Sequence, residues 1–302
     1  QVVCTGERHT PALNPASGTE GAPVIIKAEG DVIIEPAAVS QGTAQGGTAA
    51  NIVLAADEPT ADNAYWDHHV RIVAGTGVGQ ARQIMRDFDN LAIPSYDGAS
   101  RTAWVSLLPS GLGNWAVTPD ATSQYEIVRN GPLIGTNGRA HVVWDGFHAR
   151  ERDSYAPDTG PVVVWASDHV VLLNNQLEAQ TEHLYDNHNV VRIEGSTASV
   201  LRNNRIFGLG MPSDQGPNNP QNHAAIMIYG SHDLVIEHNE IDDVYTGIFP
   251  KGSDGSGHVI RRNVIQSCAK AFRFSYHADL RVYQNAVRSE ERRVGKECRS
   301  RW

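Results

Sequence analysis

The sequence predicts an all-β chain: a right-handed parallel β-helix of three-strand coils, interrupted by one small inserted β-domain. Three observations predict it. One strand pattern recurs six times from residue 142 onward, a second strand precedes five of the six, and between residues 40 and 130 that rhythm is lost. At 302 residues the chain can bury one elongated core and one insert.

The repeat reads VVWDGFHA (142–149), VLLNNQLEA (171–179), SVLRNNRIFG (199–208), LVIEHNEIDD (234–243), HVIRRNVIQS (258–267) and LRVYQNAV (280–287). Aligned, these put Gly146, Asn175, Asn204, Asn239, Asn263 and Asn285 in one column, spaced by 29, 29, 35, 24 and 22 residues. The shortest spacings fit one turn of a three-strand coil, and the longer ones are that turn with a loop inserted. The preceding strands are PVVVWA (161–166), NVVRIEG (189–195), AAIMIYG (224–230), TGIFPKG (246–252) and KAFRFSY (270–276). Their alternation sends Ile193, Ile228 and Phe274 inward, and stacking the coils makes one core of faces that no single coil could bury. Asn tolerates the left-handed backbone of a corner, and its amide can bond the Asn of the next coil, so the column is structural and no catalysis is assigned to it.

This pattern over 131–287 resembles the pectate-lyase-like β-helix superfamily, and NPASGTEGAPVIIKAEGDVII (14–34) resembles that family's opening coil. The domains expected are 1–39 as the first coil or coils, 40–130 as the insert, and 131–287 as the coil stack. The insert resembles a β-module of phage tail and tailspike-like proteins, with its GTGVGQ turn (75–80) and PDATSQYEI ending (119–127). Gly75, Gly77 and Gly79 are followed by strand-like ARQIM rather than a helix, so a tight β-turn is expected there and not a phosphate cradle. His68 and His69, beside Trp66 and Asp67, read as a solvated loop without a third ligand at metal spacing.

Residues 288–302, RSEERRVGKECRSRW, break the alternation and resemble the translation of a sequencing adapter, marking a metagenomic fragment. They hold six of the 25 basic and three of the 34 acidic residues, so the formal charge of −9 falls to −12 without them. An acidic chain argues against a nucleic-acid partner. The apolar runs are too short for a membrane span. Gln1 follows no readable signal peptide, and Cys4, Cys268 and Cys298 give neither a disulfide framework nor metal spacing.

Outward positions of the preceding strands form two columns, Arg192–Met227–Phe249–Arg273 and Glu194–Tyr229–Lys251–Ser275, which loops 150–160, 180–188 and 209–223 could wall. A groove with cations, carboxylates and aromatic rings suits a long acidic sugar chain. Elimination from a uronate needs a group to neutralise the carboxylate and a base to take the adjacent C–H proton. Lys251 is the candidate base, its pKa lowered by neighbouring Arg192 and Arg273, and Arg273 the carboxylate clamp or acid. Arg192, Glu194, Tyr229, His188 and His223 are the candidate substrate-binding residues; His148, His183 and His277 read as loop or strand-end residues. Hydrolysis would need a carboxylate pair, and Asp145, Glu194, Glu237, Glu240, Asp242 and Asp243 supply no obvious one.

The face is also similar to the chondroitinase B and alginate lyase family, whose Lys position matches Lys251. Ser275 stands at that family's Arg position, with Arg273 two residues earlier, and the acidic pair that would hold Ca²⁺ falls near Val244 and Thr246. The resemblances imply a polysaccharide lyase with Ca²⁺ as the only cofactor to consider, working as a secreted protein. The alternative they imply is a virion-surface tail protein or adhesin, a homotrimer if tailspike-like, that binds surface glycan without cleaving it.

Overall fold

The computed structural model describes residues 2–5, 8–9, 12–66, 68–84, 94–105, 114–129, 131–151, 160–179, 188–209, 222–252, 254–275 and 278–288. The chain divides into two compact units. One comprises Gln1–Glu35, Pro132–Glu151 and the chain from Pro157 onward; the other is built on Pro36–Gly131.

The first unit is all-β, and its described strands make three parallel sheets, two of eight strands and one of seven, with the topology of a right-handed β-helix. A coil visits them in turn, as in Asn189–Glu194, Val200–Arg202 and Arg205–Phe207. Each Asn-containing segment is thus two short strands that meet at a corner. Pairing between coils is strictly in register: Val171, Val200, Val235, Val259 and Arg281 line one column, and Leu172, Leu201, Ile236, Ile260 and Val282 the next. Leu172, Leu201, Ile236 and Ile260 are buried in a continuous core with Leu177, Ile206, Ile241 and Ile265 from the second sheet and Val191, Ile193, Ile226, Ile228 and Ile248 from the third. Each such side chain contributes about 1.5–3 kcal/mol by leaving water.

The Asn column is a hydrogen-bonded ladder. Asn175, Asn204, Asn239 and Asn263 each donate Nδ2–H to Oδ1 of the next coil's Asn, at 2.9–3.0 Å, and the same Oδ1 accepts the backbone N–H of the coil before. The other Nδ2 proton goes to a carbonyl, such as Leu201 O from Asn239 at 3.0 Å. Two expectations are corrected here. Gly146 is not the first rung: Asp145 pairs with Leu173, which puts Phe147 opposite Asn175, and Phe147 N–H donates to Asn175 Oδ1. The left-handed residue is the one before each rung: Gly146, Asn174, Asn203, His238, Arg262 and Gln284 have φ of 84, 56, 57, 57, 55 and 56°. The rung needs its amide inside the corner, so the backbone reversal falls one residue earlier.

Ile193 and Ile228 are buried as expected, but Phe274 is 48% exposed. It follows Cys268–Phe272, the edge strand of the seven-stranded sheet, so no further described coil covers it; its ring stacks on Phe272 at 5.8 Å.

The second unit holds two four-stranded antiparallel sheets, one of Ala38–Thr43, His68–Ala74, Ala81–Gln83 and Gln124–Arg129, the other of Gly46–Thr48, Asn51–Val53, Tyr96–Asp97 and Thr102–Trp104. Gly75, Gly77 and Gly79 have φ of 76, 82 and 87° in the turn joining His68–Ala74 to Ala81–Gln83. A Cβ at Gly75 would lie 1.9 Å from Thr122 O. His68 and His69 are not in a loop: they open a strand, paired with Arg129 and Val128, and His69 is buried. Glu58 is buried in this unit, accepting hydrogen bonds from the Ser40 and Tyr125 hydroxyls at 2.7 and 2.5 Å and from Tyr65. Burial, then the adjacent Glu58 carboxylate, push both tyrosine hydroxyls well above the ordinary phenol range. Among the described residues no helix is long and apolar enough to cross a membrane.

Candidate substrate-binding face

The seven-stranded sheet carries the candidate face. Strand register places Glu194 beside Tyr229 and Tyr229 beside Lys251, and Arg192 beside Met227 and Met227 beside Phe249. Arg273 N–H donates to Ile248 O, which brings Arg273 next to Phe249. The sheet therefore assembles both columns expected from the alternation, and successive members stand one strand spacing, about 4.8 Å, apart.

The side chains interlock. The Arg192 guanidinium lies 4.7 Å from the centre of the Tyr229 ring, and Lys251 Nζ lies 5.5 Å from it on the strand above. The Arg273 guanidinium lies 4.4 Å from the centre of the Phe249 ring. Such contacts hold a cation without cancelling its charge. Arg192 also donates to the Glu194 carboxylate from Nε and Nη2, at 2.9 and 2.8 Å. Lys251 Nζ donates to Asn222 Oδ1 at 2.6 Å. Met227, Phe249 and Ala224 are fully buried in a small cluster of their own, with Tyr229 packed against it. That apolar bed under the cations was not anticipated, because strand alternation alone places Met227 and Phe249 on the outward side.

His188 and His223, expected to touch substrate, are 0% and 4% exposed. His188 Nε2 lies 2.7 Å from Glu151 Oε2, itself buried, and the two imidazoles meet edge-on with centres 6.4 Å apart. Glu151 escaped notice in the sequence because it lies just past the strand His148–Arg150 and meets His188 only across coils. Trp165, in the strand Val162–Trp165, pairs with Glu194 and extends the second column by one coil; it is 53% exposed. Its signal was present in PVVVWA, where Trp165 alternates with buried Val162 and Val164.

Of the carboxylates weighed for hydrolysis, Glu237 lies on another sheet and is buried between Arg202 and Arg261, at 2.5 and 2.7 Å. Burial would raise its pKa, but the hydrogen bonds and charges of the two arginines outweigh that and hold it below the usual carboxylate range. It is a structural ion cluster. His148 bonds Glu178 at 2.9 Å on the second sheet, away from the face. His183 and His277 lie outside the described residues. Val244 is in the core and Thr246 is fully buried, so nothing acidic stands where the lyase resemblance would need its Ca²⁺ pair.

A family model, periplasmic copper-binding protein (NosD), matches residues 133–297. The match reaches into the segment 288–302 set aside in the sequence. No curated protein sequence matches the chain. Among solved structures, the chain is similar to XylC in complex with xylose, at 11% identity and TM-score 0.42, covering 94% of this chain and 62% of that one. It is also similar to PfbA, a surface adhesin of Streptococcus pneumoniae (11% identity, 95% of this chain, 72% of that chain, TM-score 0.36). A third is the tailspike protein gp49 from Pseudomonas phage LKA1 (9% identity, 94% of this chain, 67% of that chain, TM-score 0.23).

The described residues do not fit a copper ion. Among them no three His, Cys, Asp or Glu side chains converge on a common point. At 2.7 Å, His188 Nε2 and Glu151 Oε2 are in hydrogen-bond contact, and an ion held by both at about 2.0–2.2 Å would have to force them apart. Cys4 and Cys268, the soft donors that would suit Cu(I), are on different sheets, in strands Val2–Cys4 and Cys268–Phe272.

Proposed function

Since the chain belongs to the periplasmic copper-binding protein (NosD) family, we propose that it works outside the cytoplasm, and that it binds an acidic polysaccharide along the seven-stranded sheet. One observation carries the polysaccharide reading: Arg192, Lys251 and Arg273 are held over the Tyr229 and Phe249 rings on adjacent strands of one outward face. Arg192 and Lys251 are two strand spacings apart and Lys251 and Arg273 one, with aromatic rings among them, and this suits carboxylates repeated along a sugar chain.

Cleavage by β-elimination is a second reading, favoured by the place of Lys251 at the outer column beside Tyr229. Lys251 would take the proton adjacent to the uronate carboxylate, whose charge Arg273 would balance. The electron pair of that C–H bond would form the ring double bond as the glycosidic C–O bond breaks, and the leaving oxygen would take a proton. Binding without cleavage, as an adhesin or a trimeric tail component, is favoured by the pairing of Arg192 with Glu194 and of Lys251 with Asn222, which holds both cations in place.

A panel of acidic polysaccharides tests these readings by retention in affinity electrophoresis and by the absorbance of a 4,5-unsaturated uronate. Retention without absorbance supports binding alone; both together support elimination. No retention on any member would remove the polysaccharide reading.

A further inference from the structure

Trp165 lies mid-stack on the outward side of its strand, where its large apolar ring is 53% exposed. Phe274, Val282 and Val287 are exposed on the last described coil, but Trp165 has a paired strand on each side, Ile134–Asn137 and Asn189–Glu194. Its indole enters no hydrogen bond or ring contact among the described residues. Tyr229 and Phe249, the other rings of the face, carry Arg192, Lys251 and Arg273 against them. An indole left half in water forgoes much of the stabilisation its burial would bring, and such a ring is suited to stacking on an apolar face of a ligand.

We propose that Trp165 is the docking platform of the face: a pyranose ring stacks on its indole, and the glycan runs from there across the coils toward Lys251. This rests on the reading of the face as a polysaccharide site and fixes the direction in which the chain lies. The column Asn137, Trp165, Glu194, Tyr229, Lys251 is continuous in register. Asn137 and Glu194 flank the indole with groups that can bond sugar hydroxyls, and the nearby Arg192 is paired with Glu194, whereas Lys251 and Arg273 gather at the far end. Trp165 and Lys251 are three strand spacings apart, roughly 14 Å, and the step per coil is close to the step per ring of an extended glycan. The ligand is thus an extended oligosaccharide of about four rings, one per strand, whose carboxylates are read at the Lys251 end and whose Trp165 end is recognised by shape, not charge.

The test titrates the full chain with size-graded oligosaccharides, one uronate series and one neutral series, following tryptophan emission and, separately, heat of binding. In the wild type, emission should change on binding and affinity should stop rising at about four rings. Trp165→Phe should lose most of the emission change while keeping affinity within about threefold, and Trp165→Ala should bind at least tenfold more weakly. Emission change with the neutral series alone would uphold the platform and remove the acidic-glycan reading. Uronate binding that Lys251→Ala weakens but Trp165→Ala leaves intact would overturn the platform and spare the face. No heat or emission change with either series would overturn the platform as well.

Discussion

Replacing Asn239 by alanine removes the middle rung of the ladder that sets the register of the face. Asn239 Nδ2 donates to Leu201 O and to Asn263 Oδ1, and its Oδ1 accepts both Asn204 N–H and Asn204 Nδ2–H, all four at 3.0 Å. Asn204, Asn239 and Asn263 are 1, 1 and 0% exposed, so water cannot replace the lost partners. Two donors of Asn204 and two acceptors are left short. At about 1–3 kcal/mol for a stranded buried group, and with some relaxation, the loss should be about 3–5 kcal/mol. That is a large part of the total stability of an ordinary domain. Asn285→Ala is the control: it makes the same kinds of bond, taking both Asn263 donors at 2.9 Å, but it is only half-buried on the last described coil. Water can reach the groups it leaves, so its cost should be about 1 kcal/mol. Urea denaturation followed by far-ultraviolet circular dichroism measures both. If Asn239→Ala cost less than about 1 kcal/mol, or Asn285→Ala cost as much as Asn239→Ala, the ladder would not be what holds the coils in register.

Three further outcomes follow from the geometry. Glu237→Gln should destabilise the first unit at neutral pH by about 1–2 kcal/mol, as hydrogen bonds to charged groups are lost on a partly exposed pair of arginines; because the folded-state pKa of Glu237 lies below its unfolded value, the wild-type advantage is full above the ordinary carboxylate range and shrinks as pH falls through the folded-state pKa, and stability curves at neutral and acid pH measure it. Lys251→Ala should weaken uronate binding about tenfold at low salt and less at high salt, a charge screening that calorimetry at two ionic strengths reads directly; an unchanged salt dependence would remove Lys251 from the recognition set. Gly75→Ala should lower the melting temperature of the second unit, since the new Cβ meets Thr122 O and an L side chain is strained at φ 76°, and an unchanged calorimetric scan would contradict the turn.

The coil stack was legible because its physics is repetitive. A strand that must present the same apolar column to every neighbour writes Leu172, Leu201, Ile236 and Ile260 at matching positions, and an amide ladder can use only Asn at each rung. The same logic limited the reading at single residues. Gly146 aligns with Asn175 because each is the fifth residue of its segment, yet the strand pairing of Asp145 with Leu173 shifts the column by one. The face was half legible. Alternation alone placed Arg192, Tyr229 and Lys251 on one side, but burial of His188 and His223 and the partners Glu151 and Asn222 come from segments between coils. Their length varies from coil to coil, so no period marks them.

The uneven spacing of the repeat itself bears on how such a chain acquires a binding face. Between the rungs Asn239, Asn263 and Asn285 the coils take 24 and 22 residues, close to the minimum, and the core there needs nothing more. The extra length in the coils leading to Asn175, Asn204 and Asn239 enters ahead of the strands that hold Trp165, Arg192 and Tyr229. Register is fixed by the ladder at a different corner, between the two eight-stranded sheets, so chain can be added ahead of the seven-stranded sheet without shifting a core residue. The binding columns can therefore change by substitution at alternate positions, and their surroundings by insertion, while the stack keeps its pairing. A one-residue insertion before Asn189 should accordingly be tolerated far better than one between Val200 and Asn204, because only the second moves a rung and turns a core column toward solvent. Melting temperatures of the two insertions decide it, and equal losses would mean that the corner loops, not the ladder, set the register.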